Sequence, residues 1–189
     1  MRLSRIARFI LATAAVVTIA APATATTLVR QSVERLAREN ALALTGRVVD
    51  LHSYWNEDHS FIFTDVTLRT TSVLKGRQAA GDVTVTLMGG TVGEITTLVI
   101  GGPELVPGSE YLMFLNDEEL PGGVTRTTVR DLVQGVFEVT RANGRATARS
   151  MAVGHPLLPD ADGLTDPAGG YAGIALEALE AQIRNVRND

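Results

Sequence analysis

The chain of 189 residues contains no cysteine, which excludes disulfides, thiolate zinc sites, iron–sulfur clusters, a thiol nucleophile and a lipidated N-terminal cysteine. Aromatic side chains are scarce: one Trp, three Tyr and five Phe. Positive charge is scarce as well. With 17 basic and 21 acidic residues the formal charge is -4, leaving little for a groove that neutralises phosphates, so no nucleic-acid partner is expected. No hydrophobic run reaches the roughly 20 residues that a membrane-spanning helix needs. The length suits one domain with a core of its own.

The N-terminus reads as an export signal. Arg2, Arg5 and Arg8 precede an apolar run from Phe9 to Ala21 in which only Thr13 and Thr18 are polar. Pro22 breaks the run, and Ala23-Thr24-Ala25 offers small residues at the -3 and -1 positions of a cleavage site. Cleavage is predicted after Ala25; the alternative is an uncleaved anchor. Removing residues 1–25 takes away three arginines and no acid, leaving 14 basic and 21 acidic residues, a net of -7. The expected protein is secreted or periplasmic, with no stable membrane span after cleavage.

A single domain is expected over residues 26–189. Val29, Val33, Leu36 and Leu44 fall near one helical face, which predicts an amphipathic helix from about Leu28 to about Glu39. The composition then turns β-branched. Phe61–Leu74 alternates with period two, with Ile62, Val66, Leu68 and Leu74 on one face. Its length suggests a strand that bends and changes neighbours. Further strands are predicted at Asp82–Met88, Glu94–Ile100, Val133–Thr140 and Arg145–Met151, the last two flanking Asn143-Gly144, a pair suited to a type I′ hairpin. Glu110–Asn116 (EYLMFLN) is too apolar for a surface and should cross the core, with an irregular stretch around Pro121-Gly122-Gly123. Residues 155–170 read as a Pro/Gly/Asp-rich loop, and Ile174, Leu176, Leu179, Ile183 and Val186 as the apolar stripe of a terminal helix. Six or seven strands with frequent turns indicate a mainly β barrel or sandwich.

The order of a helix, TGRVVDLHSYW, FIFTDVTLRTTSVLKG, DVTVTLMGG, GSEYLMFLN and LVQGVFEVTRANGR resembles a group of uncharacterised exported bacterial proteins. These in turn resemble the netrin-like domain, the OB-type barrel of tissue inhibitors of metalloproteinases. The specific part is Val73-Leu74-Lys75-Gly76 followed by Val83-x-Val85 and Gly108-x-x-Tyr111-x-x-Phe114-Leu115. The resemblance covers about residues 44–140 and implies an OB-like antiparallel β-barrel flanked by an N-terminal and a C-terminal helix. In the animal inhibitors an N-terminal half-cystine meets the protease metal. This chain has no cysteine, so no inhibitory residue carries over.

The candidate site is the segment His52-Ser-Tyr-Trp-Asn-Glu-Asp-His59. Tyr54, Trp55, Glu57 and His59 are the expected partner-binding residues, because large aromatics at a loop tip either pack on the body or bind something. His52 and His59 with an adjacent carboxylate would suit a divalent metal, yet no helical ligand spacing is present, and a solvated turn is the expectation. Asp160, Asp162 and Asp166 gather oxygens as calcium requires, but the glycine spacing departs from the EF-hand rule. Gly89-Gly90-Thr91-Val92-Gly93 lacks the helix a phosphate loop opens into and reads as a bulge or turn. Ser109, Ser150 and Asp131 form no recognisable triad, and Asp117, Glu118 and Glu119 read as a solubilising strand exit. No cofactor, metal or catalytic residue is assigned. The expectation is a non-enzymatic binding module whose partner is an extracytoplasmic protein such as an extracellular protease; the alternatives are an enzyme of unrecognised type or a structural envelope component.

Overall fold

The computed structural model describes residues 28–78, 81–155, 157–158 and 173–186. The expected export segment, most of the 155–170 loop and its carboxylates Asp160–Asp166 lie outside the described residues. The elements in chain order are β1 (Leu28–Val29), α1 (Val33–Glu39), β2 (Leu42–Trp55), β3 (Ile62–Lys75), β4 (Asp82–Met88), β5 (Gly90–Val92) and β6 (Ile95–Thr97). There follow β7 (Glu110–Leu120), β8 (Val124–Thr128), a 3-10 turn at Leu132–Gly135, β9 (Val136–Ala142), β10 (Arg145–Ser150), β11 (Leu157–Leu158), β12 (Ile174–Ala175) and α2 (Leu176–Asn185). Among the described residues the protein is mainly β with two helices. Among the described residues no helix is long and apolar enough to cross a membrane.

One antiparallel sheet carries the fold, in the order β12-β10-β9-β7-β2-β3-β4, with β8 on the outer half of β7. The expected closed barrel does not form. The sheet rolls until β8 lies beside β4, but no backbone ladder joins them, so the order begins and ends on edges. The reason is where the late strands go. β2 takes one edge of β7 over Glu110–Leu115, and β9 takes the opposite edge over Glu110–Met113 instead of returning to β4.

The long strands do bend, as their length suggests. Residues Leu74 and Thr71 of β3 and Val49 of β2 are each skipped by the register of the β2–β3 ladder. Each is a bulge, with two residues facing one, and a bulge reverses which face the following residues occupy. This corrects the single-face reading of Phe61–Leu74. Val66 and Leu68 enter one core, while Leu74 enters the other.

Those two cores lie on either side of β7. Leu112 and Phe114 face α1 and α2, where Val33, Leu36, Leu179 and Ile183 are buried; Tyr111, Met113 and Leu115 face Leu44, Val66, Leu68 and Val85 of the rolled half. A strand covered on both faces must be continuously apolar, which is why EYLMFL shows no alternation. Every residue from Glu110 to Leu115 is buried. Removing one such large side chain costs about 2 to 5 kcal/mol, from the lost transfer energy and the cavity left behind.

Polar contacts place α1. It begins at Val33, not Leu28, because Ser32 caps it, Oγ accepting from Arg35 N at 3.2 Å. Leu28–Val29 are drawn off as a strand parallel to β11, and buried Gln134 holds the segment, accepting from Gln31 N at 2.8 Å and donating to Val29 O at 3.0 Å. At the other end Lys75 Nζ donates to Ala37 O (2.6 Å), Asn40 O (2.8 Å) and Arg38 O (3.3 Å). A cation on the terminal carbonyls answers both their lone pairs and the helix dipole. Gly76 follows at φ +82°, where a Cβ would stand 2.5 Å from the Ala41 carbonyl oxygen. The Val-Leu-Lys-Gly motif thus joins β3 to the end of α1.

Two other readings are corrected. Strand β7 runs on through Asp117–Glu119 to Leu120, and Pro121-Gly122-Gly123 is the turn into β8, a hairpin hidden in the sequence by its charged and hydroxyl side chains. Asp117 accepts from Thr127 at 2.6 Å, and Glu118 lies 3.4 Å from Arg130. The strand expected over Glu94–Ile100 shrinks to β6. Asn143 (φ 51°) and Gly144 (φ 73°) make the expected β9–β10 turn.

Glu110 is the charged residue of the buried run. Arg141 donates to both its carboxylate oxygens at 2.8 Å, Arg47 approaches to 3.7 Å, and Thr71 Oγ1 lies 3.4 Å away. The Arg141 hydrogen bonds, outweighing burial, hold the Glu110 carboxyl below the usual carboxylate range. The unfolded chain therefore takes up that proton first as pH falls. Stability from Glu110 is complete above the ordinary glutamate value of about 4.3 and is lost as pH drops from there through the folded-state value. Both arginines are more than half exposed, so solvent screening keeps the contribution near 1 to 2 kcal/mol. Glu110→Gln should lower the thermal midpoint at neutral pH and flatten its fall below about pH 4.3; an unchanged acid limb in the variant would refute this assignment.

Candidate functional site

The ladder of β2 and β3 ends in a turn over Asn56–Phe61, and Asn56 organises it. Its Oδ1 accepts from Ser60 N and Phe61 N, each at 2.9 Å, and its Nδ2 donates to Ser60 Oγ at 3.1 Å. Its backbone N donates to Phe61 O and its carbonyl accepts from His59 N. Asp58 Oδ1 accepts from Ser60 Oγ (2.7 Å) and Ser60 N (3.1 Å), and these bonds lower its pKa. An Asx side chain that substitutes for backbone partners closes a turn in this way. It holds His59 at φ +56°, a left-handed conformation that a non-glycine residue adopts only when its surroundings demand it.

The expected site residues divide between the two faces of the hairpin, since neighbouring strand residues point oppositely. Trp55 is half-buried and stacks on His59, ring centroids 6.2 Å apart at 30°. Tyr54 faces the other way. It stacks on His52 (6.0 Å, 15°) and meets Phe63 at 6.2 Å, which in turn touches Phe61 at 5.4 Å. Glu57 is exposed at the tip. Trp55 and His59 are thus brought together, while Tyr54 belongs to a separate aromatic row.

Tyr54 is tied down. Its hydroxyl donates to Asp65 Oδ1 at 3.2 Å, an oxygen that also accepts from Thr86 at 2.7 Å, and the guanidinium of Arg126 on β8 acts on the same hydroxyl from nearby, favouring its ionised form. Burial raises the Tyr54 pKa, and the Asp65 charge and hydrogen bond add to it. Tyr54 therefore stays a neutral donor at physiological pH. Asn56, Asp65 and Arg126 are the site residues that sequence reasoning missed. The Asn-x-Asp-x-Ser spacing was an available signal for the turn, but nothing local could connect Arg126 to Tyr54 across 72 residues.

His52 and His59 rest on different rings on different faces, and among the described residues no group of three or more His, Asp or Glu is arranged to hold a metal ion. Gly89–Gly93 supplies strand β5 and the start of its turn into β6, not a loop opening a helix. Asp131 accepts from Asn40 at 2.9 Å, a bond that anchors the end of α1. What the hairpin tip presents is a stacked pair of rings rimmed by Glu57 and Asp58. No protein-family model matches this chain, and no curated protein is similar to it.

Asn56 is 8% exposed, so its truncation strands buried partners as well as losing bonds. Asn56→Ala should cost about 1 to 3 kcal/mol. It should also shift the emission of Trp55, the single tryptophan of the chain, to the red as the indole loses its fixed seat; emission identical to that of the parent protein would show that Asn56 does not position Trp55.

Proposed function

We propose that this chain is an extracytoplasmic, non-enzymatic binding module that captures a protein partner on the Trp55–His59 tip of its β2–β3 hairpin. The carrying observation is that the only tryptophan stays partly exposed while the turn beneath it is fixed by five hydrogen bonds of Asn56. A large ring held still loses little conformational entropy on binding, which is the property of an interface anchor. The polar rim of Glu57 and Asp58 completes the surface, while Tyr54, held by Asp65, lies on the opposite face and outside it.

Two further features support the setting. The basic, apolar and small-residue order of residues 1–25 suits export, giving a secreted or periplasmic protein. The rolled order β4-β3-β2-β7-β8, with β8 brought beside β4, supports kinship with OB-like, netrin-like barrels, in which the first hairpin loop serves recognition. That kinship makes an extracellular protease the first partner to try. No cofactor takes part.

Trp55→Ala tests the reading. The folded variant should lose at least roughly ten-fold in affinity for a captured extracytoplasmic partner, as expected for a central aromatic anchor, and keep a cooperative thermal transition. Undiminished capture by folded Trp55→Ala, or collapse of the fold without the indole, would sink it.

A further inference from the structure

We infer that the hollow beside Trp55 receives one large apolar side chain of an extended peptide whose backbone lies along the β6 edge. This rests on the binding-module reading and specifies the ligand class. Leu51, Ser53 and Trp55 succeed one another on one face of β2, and Leu51 and Ser53 line a cavity of about 360 Å³. Leu87 and Thr64 continue the lining on β4 and β3, and Val99 and Leu105 close it from the long loop after β6.

The lining selects an uncharged occupant. Ser53 Oγ and Thr64 Oγ1 bond to each other at 2.8 Å, and Thr64 donates to Gly89 O at 2.7 Å, so these hydroxyls are already engaged. The one ionisable side chain in the lining is Glu104, which disfavours an anionic head group. Gly90 presses close against the hydroxyls, since a Cβ there would stand 2.2 Å from Thr64 Oγ1 and 2.6 Å from Ser53 Oγ. A volume at the lower end of ligand cavities suits a single phenylalanine or leucine side chain with room to enter.

The rim identifies the rest of the ligand. Leu98 and Ile100 are 77% and 87% exposed, unusual for large aliphatic residues so close together, and Leu98 belongs to the cavity wall. Thr96 and Thr97 belong both to that wall and to β6, whose strand partner is β5; among the described residues β6 has no second neighbour. A strand with one open edge offers main-chain donors and acceptors to an added extended segment, whose alternate side chains then point to one side. An acyl chain would fill the hollow but use none of that edge. The peptide is therefore the occupant that the hollow and the edge satisfy together.

The test uses a blocked heptapeptide, Thr-Lys-Thr-Phe-Thr-Lys-Thr, its central Phe→Ala counterpart and dodecanoate, each titrated by calorimetry and by Trp55 emission. The Phe peptide should bind, with the Ala peptide weaker by roughly ten-fold or more, the worth of burying an aromatic ring. Thr97→Phe, which fills the hollow, and Leu98→Asp, a change at an exposed position that leaves the core alone, should each weaken the Phe peptide about as much, with thermal melts confirming that both fold. Equal binding of the two peptides, affinity blind to folded Leu98→Asp, or binding of dodecanoate with none of peptide would overturn the inference. Loss in Leu98→Asp alongside unchanged peptide affinity and partner capture in Trp55→Ala would uphold the hollow and remove the Trp55 reading; loss of partner capture in Trp55→Ala with peptide affinity blind to Leu98→Asp would remove the hollow alone.

Discussion

Burial of Glu110–Leu115 on both faces of the sheet, with β2 along one edge of the run and β9 along the other as far as Met113, is the constraint on which the remaining architecture depends. A strand so enclosed needs a helical layer over Leu112 and Phe114 and a rolled layer over Tyr111, Met113 and Leu115. The two helices supply the first from opposite ends of the chain, and their buried faces meet the same strand. β2, β3 and β4 supply the second. Phe114 and Phe137, in T-shaped contact at 6.2 Å, lock β7 to β9 within the helical core. The acidic head of the run, Glu110, is tolerated because two arginines and a bulged threonine converge on it, satisfying a charge that isolated burial would make costly.

The same rolling explains why the β2–β3 hairpin is a stiff platform. Its strands pair over their whole length, from Ala43 with Lys75 to Trp55 with Ile62, and three bulges bend the ribbon instead of ending it. One end is fastened to α1 through Lys75 and Asn40, the other is closed by Asn56. Between these anchors the hairpin passes from the helical core to the edge where Trp55, the hollow and β6 lie. Rigidity at the tip thus derives from ordinary backbone pairing continued far beyond the usual strand length, with one buried amide finishing the job.

Much of the fold was legible locally. The apolar run of β7, the alternation in β3 and β4, the Asn143-Gly144 turn and the stripe of α2 each follow from side-chain period or turn chemistry, which act over a few residues. The N-terminal boundary of α1 was not, since Val29 is held out of the helix by Gln134, 105 residues away. The β7–β8 hairpin was missed because Asp117–Glu119 look like a solvated exit until Thr127 and Arg130 are seen to pair with them. At the candidate site the sequence pointed to Tyr54, Trp55, Glu57 and His59 as one group, whereas strand alternation sends Tyr54 and Trp55 to opposite faces. The hollow had no local signature, being lined from β2, β3, β4, β6 and the loop beyond.

By itself the sequence determined a mainly β chain with helices near its two ends, a strand that had to be central and a polar turn next to aromatics, since hydrophobic period and turn residues carry that information without reference to distant partners. Only the tertiary structure decided that the sheet rolls without closing, that β3 changes face at its bulges and which rings share a side. Those outcomes depend on register and on which strand edges are already occupied, and both are set by contacts between residues tens of positions apart.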